Sequence, residues 1–143
     1  AFQNSIKLDK NFSSAYNNLA NIQKKIGLID EAQQNYEKSI LTNKNNLEAY
    51  FNLANLFWSK REYILAIKNY EEAIKINKEF AEAYSNIGQI YASLGRFKDA
   101  EKFLKIAIQK DNNHSVSYKN YFLIKGNKLY DLINIIKFLG CKN

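Results

Sequence analysis

Asparagine is the residue best placed for chemistry in this sequence. Asn18, Asn52, Asn86 and Asn120 recur at a constant step of 34 residues. A primary amide carries one acceptor oxygen and two donor hydrogens. It can pair with the C=O and N–H of an extended peptide without reading that peptide's side chains. Four such amides at one spacing would form a ladder that grips backbone. The other reading of the column is a residue kept for hydrogen bonding within its own segment. Asn17, Asn21, Asn55, Ser85, Gln89 and Lys119 occupy the neighbouring polar positions. Phe51 and Trp58 are seven residues apart, a spacing that puts both on one helical face. Together they suit an apolar side chain of a ligand. Trp58 equally suits a seam between packed segments.

No other constellation points to a reaction. There is no Gly-rich phosphate loop, nucleophile motif or pairing of a base with a nucleophile. Cys141 and His114 are single residues of their kind and do not make a metal site. The carboxylates Glu31, Glu37, Glu71, Glu72, Asp99 and Glu101 are scattered and read as solvated surface. The expectation is therefore a binding protein, not an enzyme, with no cofactor and no metal.

Composition narrows the class. The 143 residues suffice for one modest domain, and 46% are hydrophobic against 24% charged, the balance of a globular chain. The best apolar stretch, Leu129 to Leu139, is broken by Asp131, Asn134 and Lys137, so no membrane span is expected. A single cysteine excludes an internal disulfide, which favours an intracellular location. The formal charge is +7, but every basic residue except Arg61 and Arg96 is lysine. Lys, Asn, Ile, Tyr and Phe share A- and T-rich codons, so coding bias accounts for much of this balance. With so few guanidinium forks, nucleic acid is an unfavoured partner.

The elements that must position the amides are read from the repetition. Ala15-Tyr16-Asn17-Asn18-Leu19-Ala20-Asn21 returns as Ala49-Tyr50-Phe51-Asn52-Leu53-Ala54-Asn55 and again as Ala83-Tyr84-Ser85-Asn86-Ile87-Gly88-Gln89. Ala32, Ala66 and Ala100 keep the step, as do Tyr36, Tyr70 and Leu104, and Ser39, Ala73 and Ala107. Each segment reads as two helices. Tyr16, Leu19, Ile22 and Ile26 have the spacing of a buried stripe on the first, and Ala32, Tyr36, Ser39 and Ile40 on the second. Gly27 and Gly95 mark the turn between them. Arg61 stands at the same place in the middle segment and predicts strain if that turn is left-handed.

These motifs resemble the tetratricopeptide repeat family. The resemblance covers nearly the whole chain and implies an all-α, right-handed superhelical solenoid of antiparallel helix pairs. It also implies a protein-interaction scaffold whose first helices line a concave groove. The asparagine column is similar to the ladder in the repeat domain of O-linked N-acetylglucosamine transferases. The family's closing proline is replaced by Lys10, Lys44, Lys78 and Asn112, which implies less rigid turns between repeats.

Full repeats are expected at 13–46, 47–80 and 81–114. Residues 1–12 are expected to be the second-helix remnant of a preceding repeat. Residues 115–143 are expected to form a degenerate fourth repeat that either caps the stack or packs on a further domain. The expected function is binding a peptide or partner segment in the groove, as part of a larger protein. Homo-oligomerisation through the open N-terminal edge or the irregular C-terminus is the alternative. A nucleic-acid-binding repeat and a carboxylate-clamp co-chaperone rank below both. The clamp needs three cations, and this chain has Asn17 and Glu82 at two of their positions.

Overall fold

The computed structural model describes the backbone of residues 2–126 and the side chains of residue 9 and residues 11–126. The C-terminal half of the expected fourth repeat, with Leu129, Leu132, Ile133, Ile136, Leu139 and Cys141, lies outside the described residues. So do the side chains of Phe2 and Ile6.

Every regular element among the described residues is an α-helix. The order is α1 (Phe2–Lys25), α2 (Ile29–Thr42), α3 (Leu47–Ser59), α4 (Tyr63–Ile76), α5 (Ala81–Ser93) and α6 (Phe97–Lys110), then α7 (115–126). They fall in two compact units, one ending at Lys78 and one beginning at Glu79. In the first unit α2 packs on α1 and on α3, α4 packs on α3, and α1 touches α3. In the second unit α5 packs on α6, and Ile124 of α7 closes a core with Ala100 and Leu104.

Small residues set the closeness of each pair. Ala20, Ala32, Ala54, Ala66 and Ala100 are 0% exposed. At Gly88 even a methyl group would not fit, since a Cβ would come within 2.8 Å of Leu104 Cγ. The large side chains fill what remains, with Tyr36, Tyr70, Leu56, Ile87, Ile90 and Leu104 wholly buried.

The turn inside each pair has one design used three times. Gly27, Arg61 and Gly95 have φ of +86°, +61° and +71°. The amide one residue later returns to a carbonyl five residues back, from Leu28 to Gln23, Glu62 to Phe57 and Arg96 to Tyr91. This is the Schellman closure of a helix C-terminus, and it needs a left-handed residue. Between pairs, Asn43, Asn77 and Asp111 are extended. The side chains of Asn43 and Asp111 accept from the amides of Asn45 and Asn113, at 3.1 and 2.9 Å. These Asx turns bend the chain where no proline is present.

A buried polar joint ties the first three helices. Ser13 Oγ donates to the Ser39 carbonyl at 2.8 Å, and Ser39 Oγ donates to the Ser13 carbonyl at 2.7 Å. Asn46 Nδ2 donates to both hydroxyls, while its Oδ1 caps α3 by accepting from the Ala49 amide.

Two expectations need correction. Residues 1–12 do not form a separate second helix, because α1 runs without interruption from Phe2 to Lys25. The segment from Asp9 to Ser13 has no glycine or proline, so nothing local obliges it to leave the helix. The turns at Asn43 and Asp111 each join helices that pack on one another. The buried stripe of α1 is also only partly realised. Leu19, Ile22 and Ile26 are 45%, 58% and 66% exposed, whereas Leu53 and Leu56 of α3 are buried. α3 has α2 and α4 packed on it. Among the described residues α1 has α2 and a lighter contact with α3.

Arg61→Gly is expected to stabilise the chain. A left-handed L-residue costs roughly 1–2 kcal/mol, and glycine returns about 0.5–1 kcal/mol of that as chain entropy. Urea denaturation should show a gain of up to about 1 kcal/mol with an unchanged slope.

Candidate functional site

The first helices carry the candidate residues. Helical spacing places positions 17, 18 and 21 of α1 on one side, and positions 51, 52, 55 and 58 of α3 follow the same pattern. Side-chain amides link the two helices. Asn17 Nδ2 donates to Glu48 Oε2 at 3.5 Å, and Asn17 Oδ1 accepts from Asn52 Nδ2 at 3.1 Å. Asn17 is only 2% exposed. It is a strut between α1 and α3 and not a surface residue, contrary to the sequence reading. Its amide is consumed at both ends.

The remaining residues of the first unit differ in how far the fold uses them. Asn18 is exposed and makes no hydrogen bond among the described residues. Asn52 is half-buried, with Nδ2 committed to Asn17 and Oδ1 unused among the described residues. Asn21 Oδ1 accepts from the Tyr36 hydroxyl at 2.6 Å. Asn55 Oδ1 accepts from the Tyr70 hydroxyl. Burial pushes the Tyr36 phenol above its ordinary pKa, so the hydroxyl stays protonated and remains a donor. Phe51 is half-buried and tilts against the Tyr70 ring at a centroid distance of 5.6 Å. Trp58 is half-buried on α3. An open polar hollow of about 480 Å³ lies at the start of α3, lined by Ser14, Asn43, Asn45, Asn46, Leu47 and Glu48.

The second unit repeats the pattern with one link missing. Ser85 and Asn120 stand 68 residues after Asn17 and Asn52, two repeat steps along. Ser85 is 0% exposed, so it too is removed from the expected surface set. Its Oγ and the Nδ2 of Asn120 are buried without a hydrogen-bond partner among the described residues. A hydroxymethyl group is shorter than a carboxamide and does not supply the bond that Asn17 supplies. Asn86 and Gln89 are half-buried, and Lys119 is exposed.

The sequence reading missed Tyr36, Tyr70 and Glu48 as partners of the amides. A signal was available. The pairs Asn21 with Tyr36 and Asn55 with Tyr70 become Gln89 with Leu104, so both members change in the same repeat.

The arrangement offers hydrogen-bond donors and acceptors and an aromatic surface. Among the described residues no group of three His, Cys, Asp or Glu is placed to hold a metal ion. No described helix is long and apolar enough to cross a membrane. The lysines of α4, α6 and α7 are partly neutralised, with Lys75 on Glu72, Lys110 on Glu79, and Lys105 and Lys125 on Glu101. None of these ion pairs includes a candidate residue.

Known proteins give the same picture. A family model described as "TPR repeat" matches residues 62–113, and one described as "Tetratricopeptide repeat" matches residues 1–34. No curated protein matches the sequence. The crystal structure of MamA is similar over 92% of this chain and 77% of its own, with 26% identity and a TM-score of 0.75. The first TPR of Spaghetti (RPAP3), bound to the HSP90 peptide SRMEEVD, covers 84% of this chain and 95% of its own at 19% identity and a TM-score of 0.77. The TPR domain of Arabidopsis OM64 covers 83% of this chain and 98% of its own at 21% identity and a TM-score of 0.77. At 19% and 21% identity the likeness is one of fold. The step of 34 residues in the sequence, the helix pairs that follow it and the two family matches agree: the chain belongs to the tetratricopeptide repeat family and is an all-α protein-interaction module.

Proposed function

We propose that the first-helix faces hold an extended segment of a partner protein through hydrogen bonds to its backbone, with the repeats at 13–46, 47–80 and 81–114 as the binding units. The observation that carries this reading is the exposed, uncommitted amide of Asn18, one repeat step from the half-used amide of Asn52. A primary amide matches a peptide bond group for group and discriminates little between side chains. Loose sequence preference and modest affinity follow. Phe51 and Trp58, both half-buried, add an apolar surface for one side chain of the ligand. A related fold, that of RPAP3, has been solved with a peptide. A terminal carboxylate is a poor ligand here, because Glu48 and Glu82 present like charge on α3 and α5.

The test is binding to a random peptide library by the wild type and by the Asn18→Ala, Asn52→Ala, Asn86→Ala triple variant, once both show the same helicity. The triple variant should bind about tenfold or more weakly, the loss of roughly one good hydrogen bond or more. Equal binding by the two proteins, or none by the wild type, would contradict the reading.

Self-association is a second reading, favoured by the exposed Leu19, Ile22 and Ile26 on α1. The three follow a 3–4 spacing that suits a helix of a second copy. It predicts that the sedimentation coefficient rises with concentration and that Ile22→Lys abolishes the rise. A constant value would exclude it.

A further inference from the structure

The peptide reading leaves open what kind of group each amide presents. An asparagine amide can turn over and offer either its oxygen or its NH2 group. At Asn21 the oxygen is held, because the buried Tyr36 O–H has no other acceptor among the described residues and would lose its bond if the amide turned. The Asn21 Oδ1 accepts from the Tyr36 hydroxyl at 2.6 Å. Tyr36 is 0% exposed, so its ring is held in the close-packed interior. Asn21 is half-buried, and its Nδ2 is neither buried without a partner nor bonded among the described residues.

We propose that Tyr36 is a positioning residue of the peptide-binding face: its hydroxyl holds the carbonyl oxygen of Asn21, so that Asn21 offers a ligand its NH2 group alone. The inference rests on the peptide reading of this face. It adds a direction to that reading, since position 21 takes an acceptor, the backbone carbonyl of an extended segment, and rejects a donor. Tyr70 and Asn55 make the same hydroxyl-to-carbonyl bond one repeat later. The third repeat has Gln89 and Leu104 at the two positions and lacks it. Holding the amide in advance removes part of the ordering cost of binding, and the gain is on the order of 3- to 10-fold in affinity for one side chain.

The experiment measures fluorescence anisotropy with the strongest binder from the random library as the probe. The proteins are wild type, Tyr36→Phe, Asn21→Ala, the double variant, and Asn21→Asp. Tyr36→Phe retains the ring and should weaken binding by about 3- to 10-fold. In the Asn21→Ala background the same change should have almost no further effect, a coupling that general loss of structure would not produce. Asn21→Asp keeps an acceptor for Tyr36 and has no NH2 group, so it should bind no better than Asn21→Ala while melting near the wild type. Normal binding by Tyr36→Phe, equal losses in both backgrounds, or wild-type affinity in Asn21→Asp would each overturn the positioning role. A wild type that captures no library peptide overturns the peptide reading itself, a separate and recognisable result.

Discussion

In each helix pair two backbones lie close enough that only a hydrogen or a methyl group fits between them. Ala20 and Ala32, Ala54 and Ala66, and Gly88 and Ala100 hold that position, and all six residues are buried. Side-chain packing at this density leaves few alternatives. Once the pair is closed, the volume beside it fixes where a large residue goes. Tyr36, Tyr70 and Leu104 take that place. The turns follow from the same constraint, since a closed antiparallel pair needs a left-handed residue within two positions of the helix end. Arg61 accepts a positive φ because the pair on either side of it demands one.

Polar groups are then divided between the fold and the surface. The tyrosine hydroxyls, carried into the core on large rings, must find acceptors there. Asn21 and Asn55 supply them. The serine joint obeys the same rule. Ser13, Ser39 and Asn46 satisfy one another completely, and one repeat later the corresponding residues are Leu47, Ala73 and Phe80. All three polar residues are replaced together in that repeat. A half-exchanged joint would leave buried donors without partners, which costs more than either complete form. Among the described residues, Ser85 and Asn120 are a place in the second unit where such a set is incomplete.

Much of the fold was legible because the repetition states it. The step of 34 residues, the small residues at 20, 32, 54, 66, 88 and 100, and the turn at Gly27, Arg61 and Gly95 are all written in the order of residues. What could not be read concerns neighbours that no spacing records. Leu19, Ile22 and Ile26 have the same pattern as Leu53 and Leu56, yet only the α3 set is buried. Periodicity gives a face, and burial depends on whether another helix covers it. The uninterrupted α1 has the same origin, since the sequence around Asp9 resembles that around Asn43 and Asp111 but bends only where packed helices hold it. At the site, the amide column was visible and its division was not. Asn17 and Asn18 are adjacent and identical in type, and a rotation of one residue puts the first in the interior and the second in solvent.

That division of like residues into committed and uncommitted amides is the core of the account, and it can be tested without any ligand. Equilibrium urea denaturation of Asn17→Ala and Asn18→Ala measures it directly. Asn17→Ala leaves the half-buried Asn52 Nδ2 without its acceptor and empties a site that is only 2% exposed, and it should lose about 1–3 kcal/mol. Asn18→Ala removes no bond and replaces a poor helix former with a good one, so it should equal or exceed the wild type by up to about 0.5 kcal/mol. Equal losses for the two variants, or the larger loss at Asn18, would contradict the account.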